Sequence, residues 1–338
     1  MLPRQVAGQD GGAPVAMKLL VTGATGFVGS ALIQRLAADP ANAVRAAVRR
    51  PDADMPAGVS RVVVAEIGPD TDWAGALEGC DTVVHLAARV HVMHESAANV
   101  MPLYNRTNVQ GTDRLAQQAA RAGVRRFVYL SSIKVNGDGT APGARFAADD
   151  RPMPQGAYAI SKIEAERALA DLVAGVPPGS GRLPMALVVV RPPLVYGPGV
   201  GGNFRSLMRA VRSGIPLPLG ALHNQRSLIG LDNLVDFIVV CCRHPLAAGQ
   251  TFVVSDGQDL STTQLLQQVS RAMGRPARLF ALPPAWLMLG ATIVGKRDDA
   301  QRLCGNLQVD LSKARNLLGW TPPVSVEAGL HDAVQGFR

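Results

Sequence analysis

The sequence predicts an α/β protein: a doubly wound, mainly parallel sheet with a smaller lobe towards the C-terminus. Three observations predict it. A glycine-spaced strand-to-helix turn, Leu19-Leu20-Val21-Thr22-Gly23-Ala24-Thr25-Gly26-Phe27-Val28-Gly29, stands near the start. Short apolar runs then alternate with helical stretches to about residue 199. Beyond residue 200 that rhythm gives way to helices separated by short strand-like pieces. With 338 residues, 47% of them apolar and 18% charged, the chain can bury a large core and is not of disordered composition.

Residues 1–16 are polar, rich in Gly and Pro and without an apolar signal-peptide core, so they read as a disordered extension. The first strand is Leu19 to Thr22, and a helix continues through Ala31 to Leu36. The G-x-x-G-x-x-G spacing between them suits a pyrophosphate. Gly23 permits the tight turn, Gly26 lets backbone approach a phosphate, and Gly29 lets helix and strand pack closely. Unpaired N–H groups and the dipole of the helix start face the anion. Gly23, Thr25, Gly26, Phe27 and Val28 are therefore candidate cofactor residues of a Rossmann domain over 17–199.

Ala43 to Val48 reads as the second strand and ends at Arg49-Arg50, where NAD-binding folds carry an acid for the ribose 2′-hydroxyl. A cation there suits the 2′-phosphate of NADP, or is simply an exposed pair. Arg61 to Ala65 is the third strand, followed by Glu66-Ile67 where an adenine ring can lie. Asp81 to Ala88 is the fourth; its small ending, Leu86-Ala87-Ala88, leaves room for a dinucleotide, and His85 within it reads as a packed core histidine. His91, His94 and Glu95 lack a further ligand at a fixed spacing, so no metal site is expected. One helix is expected from about Val100 to Ala122, with Asn108 in its middle as a polar contact or a kink.

Arg126 to Leu130 is the fifth strand and ends in Ser131-Ser132. Tyr158 opens a long helix that carries Lys162, Pro177 to Gly181 is a turn, and Ala186 to Val190 is the sixth strand. In the lobe, 200–338, helices are expected around 203–213, 231–242 and 261–273, a strand over Thr251 to Val254, and excursions back to the sheet.

The net charge of +8 is spread without a Lys/Arg block, and aromatics are 4%, which suits anionic small molecules or an anionic membrane surface better than nucleic acid. Cys80, Cys241, Cys242 and Cys304 have no metal-ligand spacing and read as free thiols of a reducing, cytoplasmic compartment.

Tyr158 and Lys162 are four apart and share a helix face. A phenol is a poor base at its usual pKa of about 10. A nearby ammonium, and an oxidised nicotinamide, favour the phenolate and are expected to lower that value. Ser132, ending an adjacent strand, can orient the same substrate hydroxyl.

Together these motifs resemble an extended short-chain dehydrogenase/reductase of the nucleotide-sugar epimerase/dehydratase kind, from Lys18 to the C-terminus. The matching pieces are Thr-Gly-Ala-Thr-Gly-Phe-Val-Gly, His-Leu-Ala-Ala, Asn-Val-Gln-Gly-Thr, Leu-Ser-Ser, Tyr-x-x-x-Lys, Arg-Pro-Pro-x-Val-Tyr-Gly-Pro-Gly and Leu-Gly-Trp-Thr-Pro. The resemblance implies Ser132, Tyr158 and Lys162 as catalytic triad, with NAD or NADP held also by Asn108 and Pro192. It implies Asn203, Arg226 and Arg302 on the substrate's phosphates, and a homodimer. Sugar-nucleotide 4,6-dehydratases of this kind carry Asp-Glu after the triad hydroxyl residue; here Ile133-Lys134 stand there, so elimination lacks its acid and base.

The expected activity is 4-epimerisation of a diphosphate-linked hexose or N-acetylhexosamine through a 4-keto sugar, in surface polysaccharide synthesis. The alternatives are an NADPH-dependent 4-keto-6-deoxy sugar reductase and a cofactor-sensing module without catalysis. The carrier is a nucleotide or a polyprenyl chain. Phe280 to Val294, with Trp286, Leu287, Leu289, Ile293 and Val294 apolar, is expected foremost to be a lobe helix packed on the core. Its other reading is a peripheral membrane contact, with Trp286 at headgroup depth and Lys296 and Arg297 on anionic lipid.

Overall fold

The computed structural model describes residues 16–90, 97–175, 185–293, 295 and 297–337. The N-terminal extension up to residue 15, His91, His94, Glu95, the turn from Pro177 to Gly181, Val294 and Lys296 lie outside the described residues.

The chain begins β1 (Lys18–Thr22), α1 (Phe27–Ala37), β2 (Ala43–Val48), β3 (Ser60–Val63), α2 (Ala74–Leu77) and β4 (Thr82–His85). It continues with α3 (Ala97–Tyr104), α4 (Gly111–Arg121), β5 (Arg126–Leu130), α5 (Gly156–Ala174), β6 (Ala186–Arg191) and β7 (Leu194–Tyr196). Then come α6 (Gly202–Ser213), β8 (Leu228–Gly230), α7 (Leu231–Arg243), β9 (Gln250–Val253) and α8 (Thr262–Ala272). Helices α9 (Pro284–Ile293), α10 (Arg297–Cys304), α11 (Ser312–Leu318) and α12 (Val326–Gln335) end it.

Seven strands form one sheet in the order β3-β2-β1-β4-β5-β6-β9, all neighbours parallel. The strand sequences are nearly unbroken apolar runs because both faces are covered. Leu19, Val21, Val84, Val128 and Val190 pack with α1 and α7 on one face. Leu20, Val83, Phe127, Tyr129 and Val189 pack with α4 and α5 on the other. Each such large side chain stabilises by about 1.5–3 kcal/mol on burial. The order reverses between β1 and β4, and ligands of open parallel sheets bind beyond the carboxyl ends at such a switch point.

The second strand appears where the sequence places it. The fourth strand ends at His85, and Leu86-Ala87-Ala88 continue as irregular chain, with Leu86 N still donating to Thr22 O (3.3 Å). The helix expected over 100–122 contains a π-helical turn at Asn105–Gln110 between α3 and α4. Asn108 lies in that turn, and such turns insert an extra residue into the helical ladder.

Segments past residue 200 complete the sheet. α7 packs on β5 beside α1, and β9 adds the seventh strand. A further core joins Tyr196 to Phe204 and Met208 of α6, Leu266 and Val269 of α8 and Leu330 of α12. α8 starts on a reciprocal cap: the Ser261 hydroxyl accepts from Gln264 N (3.0 Å) while Gln264 Oε1 accepts from Ser261 N (2.8 Å).

Core packing of the Phe280 to Val294 stretch is overturned. Its helix, α9, buries none of its residues, and Trp286 and Ile293 are 63% and 78% exposed. The lobe core is already filled by α6, α8 and α12, and α9 packs instead against α10. Cys80, Cys241 and Cys242 are buried free thiols, and Cys304 is half-buried.

Candidate active site at the carboxyl edge of the sheet

The turn after β1 admits no side chains at its glycines. Gly23 has φ +68°, and a Cβ there would lie 2.7 Å from Ala87 N. One on Gly26 would lie 3.1 Å from Gly23 O, and one on Gly29 only 2.0 Å from the same oxygen. Gly26 caps α1 with no side-chain hydrogen bond, and the first turn carries no acid. The first N–H groups of the helix are thus left to an outside anion. Thr25 and Gly26 are exposed, Phe27 and Val28 half-buried. This bare backbone cradle, with Ala87 and Ala88 facing it across the switch point, fits the pyrophosphate of a dinucleotide.

Beside it, Thr22 Oγ1 receives Ala87 N (3.2 Å) and bonds His85 Nδ1 (2.6 Å), while His85 Nε2 meets Thr112 Oγ1 (2.9 Å). Burial pulls the His85 pKa down to about 3, so its imidazole is neutral and structural. Asn108 spends its amide on bracing: Nδ2 donates to Arg89 O (3.0 Å) and Ser161 Oγ (3.0 Å), and Oδ1 accepts from Arg89 N (2.7 Å). It ties the segment after β4 to α5.

Ser132 ends β5, half-buried, and its Oγ accepts from Lys134 N (3.3 Å). Tyr158 and Lys162 lie on α5. Tyr158 is half-buried, edge-on to Tyr104 with ring centroids 6.2 Å apart. Lys162 is 2% exposed, and its Nζ lies 4.2 Å from the centroid of the Tyr129 ring. Electrostatics here differ from the expectation of a lowered phenol. Burial, helped by Tyr104, pushes the Tyr158 pKa up to about 12. Burial also pulls Lys162 down to about 7, against the opposing charge of Glu166. Two groups in low dielectric both favour their neutral forms.

Next to Lys162 on α5 lies a buried polar knot that sequence reasoning missed. Glu166 accepts from Arg191 Nε (3.0 Å) and Nη2 (2.5 Å) and makes a short hydrogen bond with Ser131 Oγ. Arg191 Nη1 also donates to Asn136 Oδ1 (3.1 Å) and Ala148 O (3.2 Å). The knot joins the ends of β5 and β6 to α5, and Pro192 just past it accepts from Ile133 N (3.0 Å). The available signal was Glu166, one helical turn beyond Lys162 on the same face.

A family model described as the NAD dependent epimerase/dehydratase family matches residues 19–255. A UDP-glucose 4-epimerase of Vibrio cholerae is 42% identical over 94% of this chain and 95% of its own length. The chain belongs to the NAD dependent epimerase/dehydratase family. An undecaprenyl-diphosphate N-acetylglucosamine 4-epimerase of Escherichia coli O157:H7 is 26% identical, covering 94% of each chain. A crystal structure of UDP-glucuronic acid 4-epimerase from Bacillus cereus in complex with NAD has the same fold, with TM-score 0.75 at 21% identity, covering 95% of this chain and 98% of that one.

In this member of the epimerase/dehydratase family, the remaining candidates are spread around the cleft. Arg49 is exposed at the end of β2, beside the loose surface pair Arg50–Asp52 (3.8 Å). Glu66 is exposed and pairs with Arg106 (3.7 Å), while Ile67 packs so closely on Gly111 that a Cβ there would lie 2.6 Å from its Cγ2. Arg226 is brought to Arg302: its Nη1 donates to Arg302 O (2.7 Å) and Gly305 O (3.1 Å). That nitrogen is committed to backbone. Arg302 is exposed on α10, and Asn203 is exposed on the first turn of α6. Where family dehydratases carry Asp-Glu, Ile133 is buried and Lys134 pairs with Asp138 (2.7 Å).

Proposed function

We propose that the protein is a sugar 4-epimerase dependent on a nicotinamide dinucleotide, acting on a hexose or N-acetylhexosamine linked to a diphosphate. The observation that carries it is Tyr158 and Lys162 on one face of α5, with Ser132 at the end of β5, beyond the glycine turn at the switch point. The 42% identical UDP-glucose 4-epimerase supports the substrate class.

In this reading the glycine turn and the start of α1 hold the pyrophosphate, and Lys162 reaches the ribose beside it. When bound, the dinucleotide supplies a hydride acceptor and donor for C4 of the sugar, and a positive charge near the phenol. Ser132 Oγ orients the 4-hydroxyl. Tyr158 takes its proton and later returns it, the task for which its pKa must fall from about 12. Charged Lys162 works in that direction. The 4-keto sugar presents either face, so one triad serves both half-reactions. Arg226 and Arg302 lie on the diphosphate side. The absence of carboxyl groups at Ile133 and Lys134 speaks against elimination. Homodimerisation, a cytoplasmic location and a role in surface polysaccharide synthesis belong to the same proposal.

The test is proton NMR of the protein with UDP-glucose, with UDP-N-acetylglucosamine and with polyprenyl-diphosphate N-acetylglucosamine. Interconversion of the C4 epimers without net cofactor consumption is expected for at least one. Stoichiometric NADPH oxidation by a 4-keto-6-deoxy sugar nucleotide, with no epimerisation, would replace this reading by a reductase; the exposed Arg49 favours that second reading. Cofactor released on denaturing the purified protein separates NAD from NADP.

A further inference from the structure

Three observations meet on one surface of the lobe. The first is apolar exposure. Trp286, Leu289 and Ile293 of α9 are exposed, as are Phe280 just before it and Ile215 after α6. Phe280 and Ile215 belong to adjoining segments: Leu217 N donates to Arg278 O (2.8 Å), Phe280 N donates to Leu217 O (3.0 Å), and Gly220 N donates to Phe280 O (3.0 Å). Exposed large apolar side chains gathered on one short helix and the segments beside its start are the kind of surface that marks an interaction site.

The second is charge. Between Asp259 and Asp298 the sequence has no acidic residue, and between Arg191 and Asp232 it has none either. These two stretches are the ones hydrogen-bonded together, and their charges are cationic: Arg212, Arg271, Arg275, Arg278 and Arg297 are exposed on or beside them. Arg275 Nη1 donates to Arg212 O (3.3 Å), which draws cations of the two stretches close. A buried-core helix does not need such a rim. An anionic surface does.

The third is continuity with the segment that brings Arg226 and Arg302 together. α9 packs on α10, which carries Arg302 and receives Arg226.

We propose that α9 with the adjoining 278–280 segment is a docking face for an anionic phospholipid bilayer. Trp286, Leu289 and Ile293 enter the interface, and the surrounding arginines meet lipid phosphates. Interfacial helices bury an apolar side at headgroup depth with Trp at the boundary and cations on anionic lipid. No described helix is long and apolar enough to cross a membrane, so the contact is one of lying on the surface. If the epimerase reading holds, on which this consequence rests, a docked protein presents the Arg226 and Arg302 side of its cleft to a diphosphate sugar carried on a polyprenyl chain.

The tryptophans supply the readout. Trp73 and Trp320 are buried, so a change in indole emission on adding lipid reports Trp286. The full-length protein is mixed with vesicles of phosphatidylcholine alone, or with an equal part of phosphatidylglycerol, and followed by emission and co-sedimentation. A blue shift and co-sedimentation are expected with the mixed vesicles at low salt, lost at high salt as the attraction is screened. Leu289→Asp should abolish both, and Arg278→Glu should weaken binding on the order of tenfold. Both side chains are exposed, so thermal midpoints should stay unchanged. Failure of the unmodified protein to co-sediment overturns the proposal, as does binding that Leu289→Asp leaves intact. A dimer that Leu289→Asp splits, without vesicle binding, gives the face to a second copy and overturns it too. Turnover of a soluble UDP-sugar by Leu289→Asp should equal that of the unmodified protein. Absence of epimerisation in both, with the two UDP-sugars and with the polyprenyl-diphosphate sugar alike, would fail the epimerase reading and leave the vesicle result standing.

Discussion

Helix α5 buries Lys162, Glu166 and Ser161 at the edge of the sheet, whereas α9 holds Trp286, Leu289 and Ile293 in solvent. The two helices depart from apolar-in, polar-out in opposite senses, and each departure costs stability that the rest of the fold supplies. In α5 the cost is met locally, because Glu166 is paired with Arg191 and Ser131. In α9 nothing described within the chain covers the apolar side chains. An internally satisfied violation points to chemistry at that spot; an unsatisfied one points outward, to something the chain must meet.

The largest effect expected from breaking this contrast lies in α5. Tyr158→Phe removes the proton carrier and keeps the ring, so turnover should fall about 10²–10⁴-fold while dinucleotide affinity, measured by titration, stays the same. Near-normal turnover on a verified substrate would remove Tyr158 from the mechanism.

Next comes the support beneath it. Arg191→Met leaves Glu166 buried without its cation, which should cost about 3–5 kcal/mol in urea unfolding. A loss no larger than that of a surface arginine would mean that Ser131 and water suffice for the carboxylate.

Lys162→Met sharpens the comparison through pH. The buried amine has a pKa near 7, against 10.5 for an ordinary lysine. Between those values the unfolded chain binds more protons, so the contribution of Lys162 to stability rises with pH and is lowest below about 7. The variant should therefore be stabilised most at pH 6, with the advantage shrinking towards pH 10. The pH range is kept below 10 because Tyr158, raised to about 12, adds the opposite slope above it. A gain independent of pH would show that the amine is neutral throughout, or that only packing changed.

The smallest effect belongs to α9. Leu289→Ser should change stability by no more than about 0.5 kcal/mol in the same urea assay, as a surface change. A loss of the size seen for core leucines would mean that α9 is covered in solution.

Features written in neighbouring residues were legible before any coordinates. The Gly23, Gly26 and Gly29 spacing, the run from Ala43 to Val48 and the Tyr158–Lys162 pair each need only strand or helix periodicity. Contacts between distant segments were not. Nothing near Tyr158 in the chain announces Tyr104 against its ring, and nothing near Lys162 announces Tyr129 beneath it. Spacing reports Lys162 as a neighbour of Tyr158, but the burial that raises the phenol without the cofactor depends on everything packed around it. α9 misled because composition says that a helix seeks cover without saying where the cover comes from. Asn108 was recognisable as out of place in a helix, and the π turn with its three hydrogen bonds explains why it is tolerated there.

The chain leaves the sheet after β6 and returns for α7 and β9, so the part of the helical layer over β5, beside α1, is laid down by residues that come after the first visit to the lobe. The two halves are therefore stitched rather than appended. A chain stopped at residue 199 would take Leu234 and Ile238 out of the core that they share with Val128 of β5 and with α1. Exchange of substrate lobes between relatives at that point would carry off part of the dinucleotide half's own interior. Change in the lobe is therefore more accessible through substitutions within its own loops and short helices than through wholesale recombination.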